Sequence, residues 1–174
     1  MSFYRRREHY AQGRHDAFES CEGALIPLFG TSFKLSDFSN RTLEAINTQW
    51  EPAGRNPETA WDWAEIMRKY DEPDRFDAAI WTGDDRLAGV FLGVTTSESL
   101  EIRFLEGDPR EECPLTGKRA LIAVDASSRY AQARGKLEVR VRPINSSLER
   151  LYVDVYQFIR CEPPNQEPYF AKRV

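Results

Sequence analysis

The chain has 174 residues, 41% of them apolar, with 24 Lys and Arg against 28 Asp and Glu. That length and apolar content suit one folded domain whose core needs no disulfide or metal, and they exclude a disordered chain. The net charge of -4 argues against a general nucleic-acid binder, whose affinity rests on neutralising phosphates.

Cys21, Cys113 and Cys161 are too widely spaced for a zinc pattern, and no uninterrupted apolar run approaches the roughly 18 residues of a membrane span. With no secretory signal read in the charged start "MSFYRRREHY", a reducing cytoplasm is the expected location.

Residues 2–21 read as a polar, charged helix ending near Cys21 and Gly23, and "ALIPLFGTSFKL" follows as a short apolar run with a strand toward Leu35. In "SDFSNRTLEAINTQW" the apolar residues Leu43, Ile46 and Trp50 fall at helical spacing behind Ser and Asp caps, until "EPAGRNPE" breaks the pattern. The next helix is expected to start at Asn56 as N-cap with Pro57 in its first turn, and to carry Ala60, Trp63, Met67 and Tyr70 as a stripe.

The segment "RFDAAIWTGDDRLAGVFLGVTTSESLEIRFLEG" gives three strands of an antiparallel meander, the first two joined at Gly83–Asp84–Asp85. In the third, Leu100, Ile102 and Phe104 alternate with Glu101 and Arg103. After a polar loop from Glu106 to Thr116 comes a helix to about Arg134, closed by Gly135, and then the strand "KLEVRV". Strand, helix, strand at this length implies a βαβ crossover.

"PINSSLERLYVDVYQF" reads as a helix with Pro143 at its start and a Ser146-to-Glu149 capping box, and "EPPNQEP" separates it from a last strand, "YFAKRV". The expected class is therefore α/β (α+β), a mixed, mostly antiparallel sheet with one βαβ unit in its C-terminal half. A helical extension over residues 1–28 precedes a domain over 29–174.

Several positions carry candidate chemistry. Gly117, Lys118 and Arg119 open a helix, whose N–H groups suit a phosphate but serve equally as a plain helix entry. Asn145 at a strand-to-helix junction is a natural cap. Glu101 and Glu106 read as surface charge, and the run Arg5–Arg7 as a solvated face that offers itself to RNA, an acidic partner or a second subunit. His9 and His15 share no spacing with a metal or triad set.

The element order, together with "VRVRPINSSLERLYVDVYQF", resembles the GNAT superfamily of N-acetyltransferases over roughly residues 29–174. Asn145, Leu148, Leu151, Tyr152 and Phe158 match its "N..L..LY...GF" pattern, whereas Gln157 stands where the family usually has Gly. In the family's pyrophosphate loop, Q/R-x-x-G-x-G/A, this chain reads "PLTGKR", matching at Gly117 alone.

The resemblance implies a GNAT-like fold and acetyl-CoA as acyl-donor cosubstrate, with no metal. By it, Leu115, Thr116, Gly117, Lys118 and Arg119 form the phosphate loop, the pantetheine arm lies where two strands splay around Phe104, Leu105 and Val139, and Asn145 contacts the cofactor. Tyr152 becomes the general acid that protonates the departing thiolate, with Tyr156 as a substitute. Glu101 or Glu106 takes the proton of the acceptor amine, and Trp61 and Trp63 lie near the acceptor cleft, Trp61 the more exposed.

The acceptor is then a small-molecule or protein amine, and a homodimer is the favoured assembly. Two other readings stand beside the enzyme: a non-catalytic GNAT-like module with a degenerate cofactor loop, and a nucleic-acid binder using Arg5–Arg7, which the acidic balance disfavours.

Overall fold

A computed structural model describes residues 3–83 and 85–174. Ser2, the expected first helical residue, and Asp84 of the first hairpin turn lie outside the described residues.

Helix α1 runs from Phe3 to Phe29, one turn and more beyond its expected end. The stretch expected to lead into a strand is its last part, with Pro27 inside, because Phe18, Cys21 and Leu25 continue the buried side begun at Ala17. Gly30 stops it at φ 64, its N–H donating to the Ile26 carbonyl at 3.0 Å.

Strand β1 (Lys34–Ser36) precedes α2 (Asn40–Ala45), which continues as a π-helical turn over Ile46–Trp50. Trp50 is fully buried and donates to the Leu87 carbonyl at 3.0 Å. Helix α3 spans Trp63–Lys69 and is capped by Asp62, which accepts from the Glu65 N–H at 3.1 Å. The expected cap, Asn56, instead accepts from the Glu58 N–H in a local turn at 3.0 Å.

The meander is β2 (Phe76–Thr82), β3 (Arg86–Thr95) and β4 (Ser99–Gly107). Helix α4 (Arg119–Ala133) leads to β5 (Glu138–Val141), Gly135 adopting φ 69 just past its end as expected. Helix α5 (Ser146–Arg150) and a π-helical turn over Leu151–Val155 follow, capped by Asn145 and not by Ser146. A short β6 (Ile159–Cys161), absent from the sequence-based expectation, precedes β7 (Tyr169–Arg173).

Among the described residues these strands form one seven-stranded sheet in the order β1-β2-β3-β4-β5-β7-β6, in which only β4 and β5 are parallel. One face packs α1 and α4 over Phe76, Phe91, Leu100, Ile102, Val139 and Val141. The other packs α2, its π-helical turn and α3 over Trp81, Leu87, Val90 and Leu92.

The β3–β4 register steps from Leu92–Phe104 to Gly93–Ile102, so Arg103 is an extra residue on β4, a bulge. Leu100 and Ile102 therefore face α1 and α4, whereas Phe104, expected on the same side, joins the opposite cluster. The parallel β4–β5 ladder pairs Ser99 with Glu138 through Ile102 with Val141 and ends there, although β4 continues to Gly107. The strands thus separate after Ile102 and Val141; Val139, expected at the splay, is inside the ladder opposite Leu100.

Tyr130 of α4 lies fully buried with its ring stacked on Phe76 at 4.6 Å between centroids. Burial pushes its hydroxyl up to about 12 from an ordinary value near 10. A raised folded-state value means the stabilisation is complete below pH 10 and is lost as the pH climbs toward 12. Denaturant midpoints measured across that window should fall, and should fall less steeply in Tyr130→Phe.

Candidate active site

The gap between β4 and β5 opens a small cleft of about 60 Å³. On the α4 side it is lined by Ile102, Leu105, Val141, Leu148 and Tyr152, and toward α3 by Thr59, Trp61, Arg103 and Arg142. Ile102, Val141 and Tyr152 belong to the α1/α4 core, and Trp61 packs on the opposite cluster, so the cleft passes through the plane of the sheet.

Tyr152 sits in the π-helical turn after α5, 4% exposed. Tyr156 and Phe158 hold its ring edge-on at 5.9 and 5.4 Å between centroids. Its hydroxyl has no hydrogen-bond partner among the described residues, and burial, with a smaller contribution from Tyr156, pushes it well above the ordinary phenol range. The turn is followed by Gln157 at φ 60, a left-handed position, where Gly would sit without strain.

The two candidate bases are both buried, against the expectation of surface charge. Glu106 is 2% exposed: Arg55 donates to it through Nε at 2.8 Å and a second guanidinium nitrogen at 2.6 Å, and Trp63 Nε1 adds a bond at 2.7 Å. Arg55 also donates to Glu51 and to the Trp61 carbonyl, each at 2.6 Å, so one guanidinium fastens the α2–α3 loop to the end of β4. Its hydrogen bond to Glu106 is the main cause holding the guanidinium above its usual range. Glu101, 8% exposed, lies beside the cleft at 3.5 Å from both Arg103 and Arg142.

Phe104 is outside the cleft lining, packed edge-on against Trp61 at 5.1 Å and Trp63 at 6.3 Å, while Leu105 turns into it. The bulge separates these neighbours. Asn145 serves as the α5 cap, accepting from the Leu148 N–H at 2.9 Å.

The loop from β4 to α4 is set by its own bonds. Leu115 is fully buried in the core, and Thr116 closes a turn onto the Cys113 carbonyl through its N–H at 3.1 Å and its hydroxyl at 2.9 Å. Gly117 has φ 78, with no atom within 4 Å of where a Cβ would stand. Lys118 carries its ammonium over the Phe29 ring, 5.3 Å from the centroid.

Arg119 turns away from the loop and across the sheet, filling the space that Gly89 and Gly107 leave, and donates to the Asp108 carbonyl at 3.0 Å and the Ala88 carbonyl at 3.4 Å. A side chain at Gly107 would collide with that guanidinium. Where the family loop has a small residue, this chain thus places a long one whose bulk is stowed elsewhere.

Sequence reasoning missed Arg103, Arg142 and Thr59 as cleft residues. For Arg103 the hidden fact is the bulge; for Arg142, the only signal is the alternation of β5, which puts Val139 and Val141 on one face and arginines on the other. Trp61 does reach the cleft, and Trp63 is buried beside it. Of the N-terminal arginines, Arg7 pairs with Asp71 at 3.0 Å. Among the described residues no group of three or more His, Cys, Asp and Glu is placed to hold a metal ion, and no helix is long and apolar enough to cross a membrane.

Neither a protein-family model nor a curated protein matches the sequence. Solved structures do match in fold. The PaiA N-acetyltransferase of Thermoplasma acidophilum, in complex with coenzyme A, superposes with a TM-score of 0.55 at 16% identity, over 83% of this chain and 100% of that one. The ribosomal-protein-S18-alanine N-acetyltransferase of Escherichia coli gives 0.56 at 13% identity, over 80% and 90%. A GNAT-family acetyltransferase of Staphylococcus aureus gives 0.57 at 7% identity, over 82% and 99%. The chain has the fold of the GNAT N-acetyltransferases.

Arg55→Ala leaves the Glu106 carboxylate buried without its cation, and should destabilise the protein by about 3–5 kcal/mol in chemical denaturation. Adding Glu106→Leu should recover most of that loss, because the buried charge then goes with its partner.

Proposed function

We propose that the protein is an acetyl-CoA-dependent N-acetyltransferase that passes the acetyl group directly to a primary amine. The observation that carries the reading is the through-sheet cleft between β4 and β5, with the partner-free hydroxyl of Tyr152 in its wall. Such a cleft admits a donor from one face of the sheet and an acceptor from the other, which favours direct transfer over a covalent enzyme intermediate.

The residues present fit coenzyme A. The apolar α4-side wall suits a pantetheine arm, and the edge of β4 from Arg103 to Gly107, which has no strand beside it on the β5 side, leaves main-chain groups to pair with its amides. Gly117 gives a phosphate unobstructed access to the start of α4, Lys118 adds positive charge there, and the inward course of Arg119 removes the obstruction that its size would otherwise create. Leu115 and Thr116 shape the loop from beneath, and Asn145 fixes the entry to α5 on the far side.

Acetyl-CoA supplies an acetyl group activated as a thioester. A main-chain N–H of β4 beyond the bulge donates to the carbonyl oxygen as negative charge builds on it. Tyr152, kept protonated by burial, delivers its proton to the leaving sulfur. Of the two carboxylates we assign the amine's proton to Glu101, directly or through water, because both oxygens of Glu106 are taken by Arg55 and Trp63. Free thiols at Cys21, Cys113 and Cys161 suit a reducing compartment such as the cytoplasm.

Calorimetric titration of protein stripped of bound nucleotide should give saturable binding of acetyl-CoA. Gly117→Glu, which puts a carboxylate and a strained side chain at the loop, should abolish that binding. If wild-type protein binds neither acetyl-CoA nor coenzyme A, the chain is a non-catalytic module with this fold. Tyr152→Phe should lower turnover by about 10²-fold while leaving acetyl-CoA affinity unchanged.

A further inference from the structure

We infer that the acceptor is an amine carrying a carboxylate close to its amino group, held by Arg103 and Arg142. This rests on the acetyltransferase reading and adds a substrate class to it.

Among the described residues, the charged side chains lining the cleft are these two arginines, with no carboxylate in the lining. They rise from separate strands, Arg103 from the β4 bulge and Arg142 from the chain just past β5, on either side of the point where the strands part. Both lie toward α3, across the sheet from the wall assigned to the donor and from the start of α4. Donor phosphates are therefore not what they face.

Their charge is incompletely met. Each lies 3.5 Å from Glu101, whose side chain is 11% exposed, so two guanidiniums share one carboxylate at loose distances. Arg142 approaches Glu167 at 4.0 Å, but that carboxylate is 85% exposed and largely screened by water. Arg103 otherwise meets Tyr70, its guanidinium carbon 5.6 Å from the ring centroid and one of its nitrogens donating a long 3.5 Å bond to the hydroxyl. The two side chains remain 40% and 42% exposed. Arg140, two residues before Arg142, is by contrast closed by Glu138 at 2.5 Å and the Tyr169 ring.

A cleft with this surplus repels a protonated polyamine and attracts a ligand bearing negative charge. Guanidiniums match a carboxylate in planar, two-bond geometry. Trp61 beside them offers an apolar wall for the rest of the acceptor.

The test measures coenzyme A release from acetyl-CoA with glycine, L-glutamate and L-aspartate, with the methyl ester of each, and with spermidine, alongside calorimetric affinity for acetyl-CoA. The free acids should be used at least about tenfold more efficiently than their esters and than spermidine, the difference lying in KM. Arg142→Gln and Arg103→Gln should erase that preference with acetyl-CoA affinity unchanged, and Arg142→Lys should restore part of it. Esters or spermidine used as well as the acids would overturn the inference and leave the acetyltransferase reading standing. Loss of acetyl-CoA affinity in the arginine variants would also overturn it, by giving those side chains to the donor. Binding of acetyl-CoA with turnover of none of these amines would overturn the acceptor class alone. Absence of both binding and turnover would remove the reading beneath it.

Discussion

The early end of the β4–β5 ladder is the constraint on which the rest of the structure depends. Parallel neighbours normally continue side by side, because each unpaired backbone group that is buried costs free energy. Here four residue pairs are made and β4 then runs on alone for five residues, still bonded to β3 on its other edge. The sheet stays whole through β3 and β7, so the gap is held open by rigid strands on both sides. A cleft of this kind needs no moving part to exist.

Two groups of buried polar contacts hold the walls of that gap. On the α3 side Arg55 gathers Glu51, the Trp61 carbonyl and Glu106, fixing a loop that has little regular structure of its own. On the α4 side Arg119 spans from the helix start to the carbonyls of Ala88 and Asp108, and Asp108 is itself held by Arg86 and Arg110, each at 2.8 Å. Both arrangements put an arginine where a hydrophobic contact would be less directional. Their role is to set distance and angle between loop and sheet as much as to add stability.

Much of the fold was legible because local signals agreed with tertiary needs. Gly135 closed α4 where a left-handed residue was required, and the alternation of Val139 and Val141 marked a half-buried strand. The misses have specific causes. Gly23 marked the expected end of α1, but the buried side runs on to Leu25 and the helix continues through Pro27 to Phe29, so packing outweighed propensity. Asn56 is as good a cap as Asp62 in sequence, and only the loop held by Arg55 decides between them.

The site was less legible than the fold. Tyr152 and Gly117 could be picked out from their pattern, but Glu106 reads as surface charge because its partner Arg55 lies 51 positions away, in a stretch with no periodicity. The same holds for the pairing of Arg103 with Arg142, which follows only from strand order. Ion pairs across a sheet leave no local trace in a single sequence.

The bulge at Arg103 behaves like an insertion in a reading frame whose unit is two residues. Upstream of it, even-numbered positions on β4 belong to the α4 face; downstream, odd-numbered ones do. Each half of the strand is thus in its own phase. Deleting Arg103 or Phe104 would bring the halves into one phase and leave Leu105 and Glu106 on the faces they hold, whereas deleting Leu105 or Glu106 would do so only by turning Phe104, an aromatic, to the wall meant for an aliphatic. The effect of shortening this strand thus depends on where along it the residue is lost.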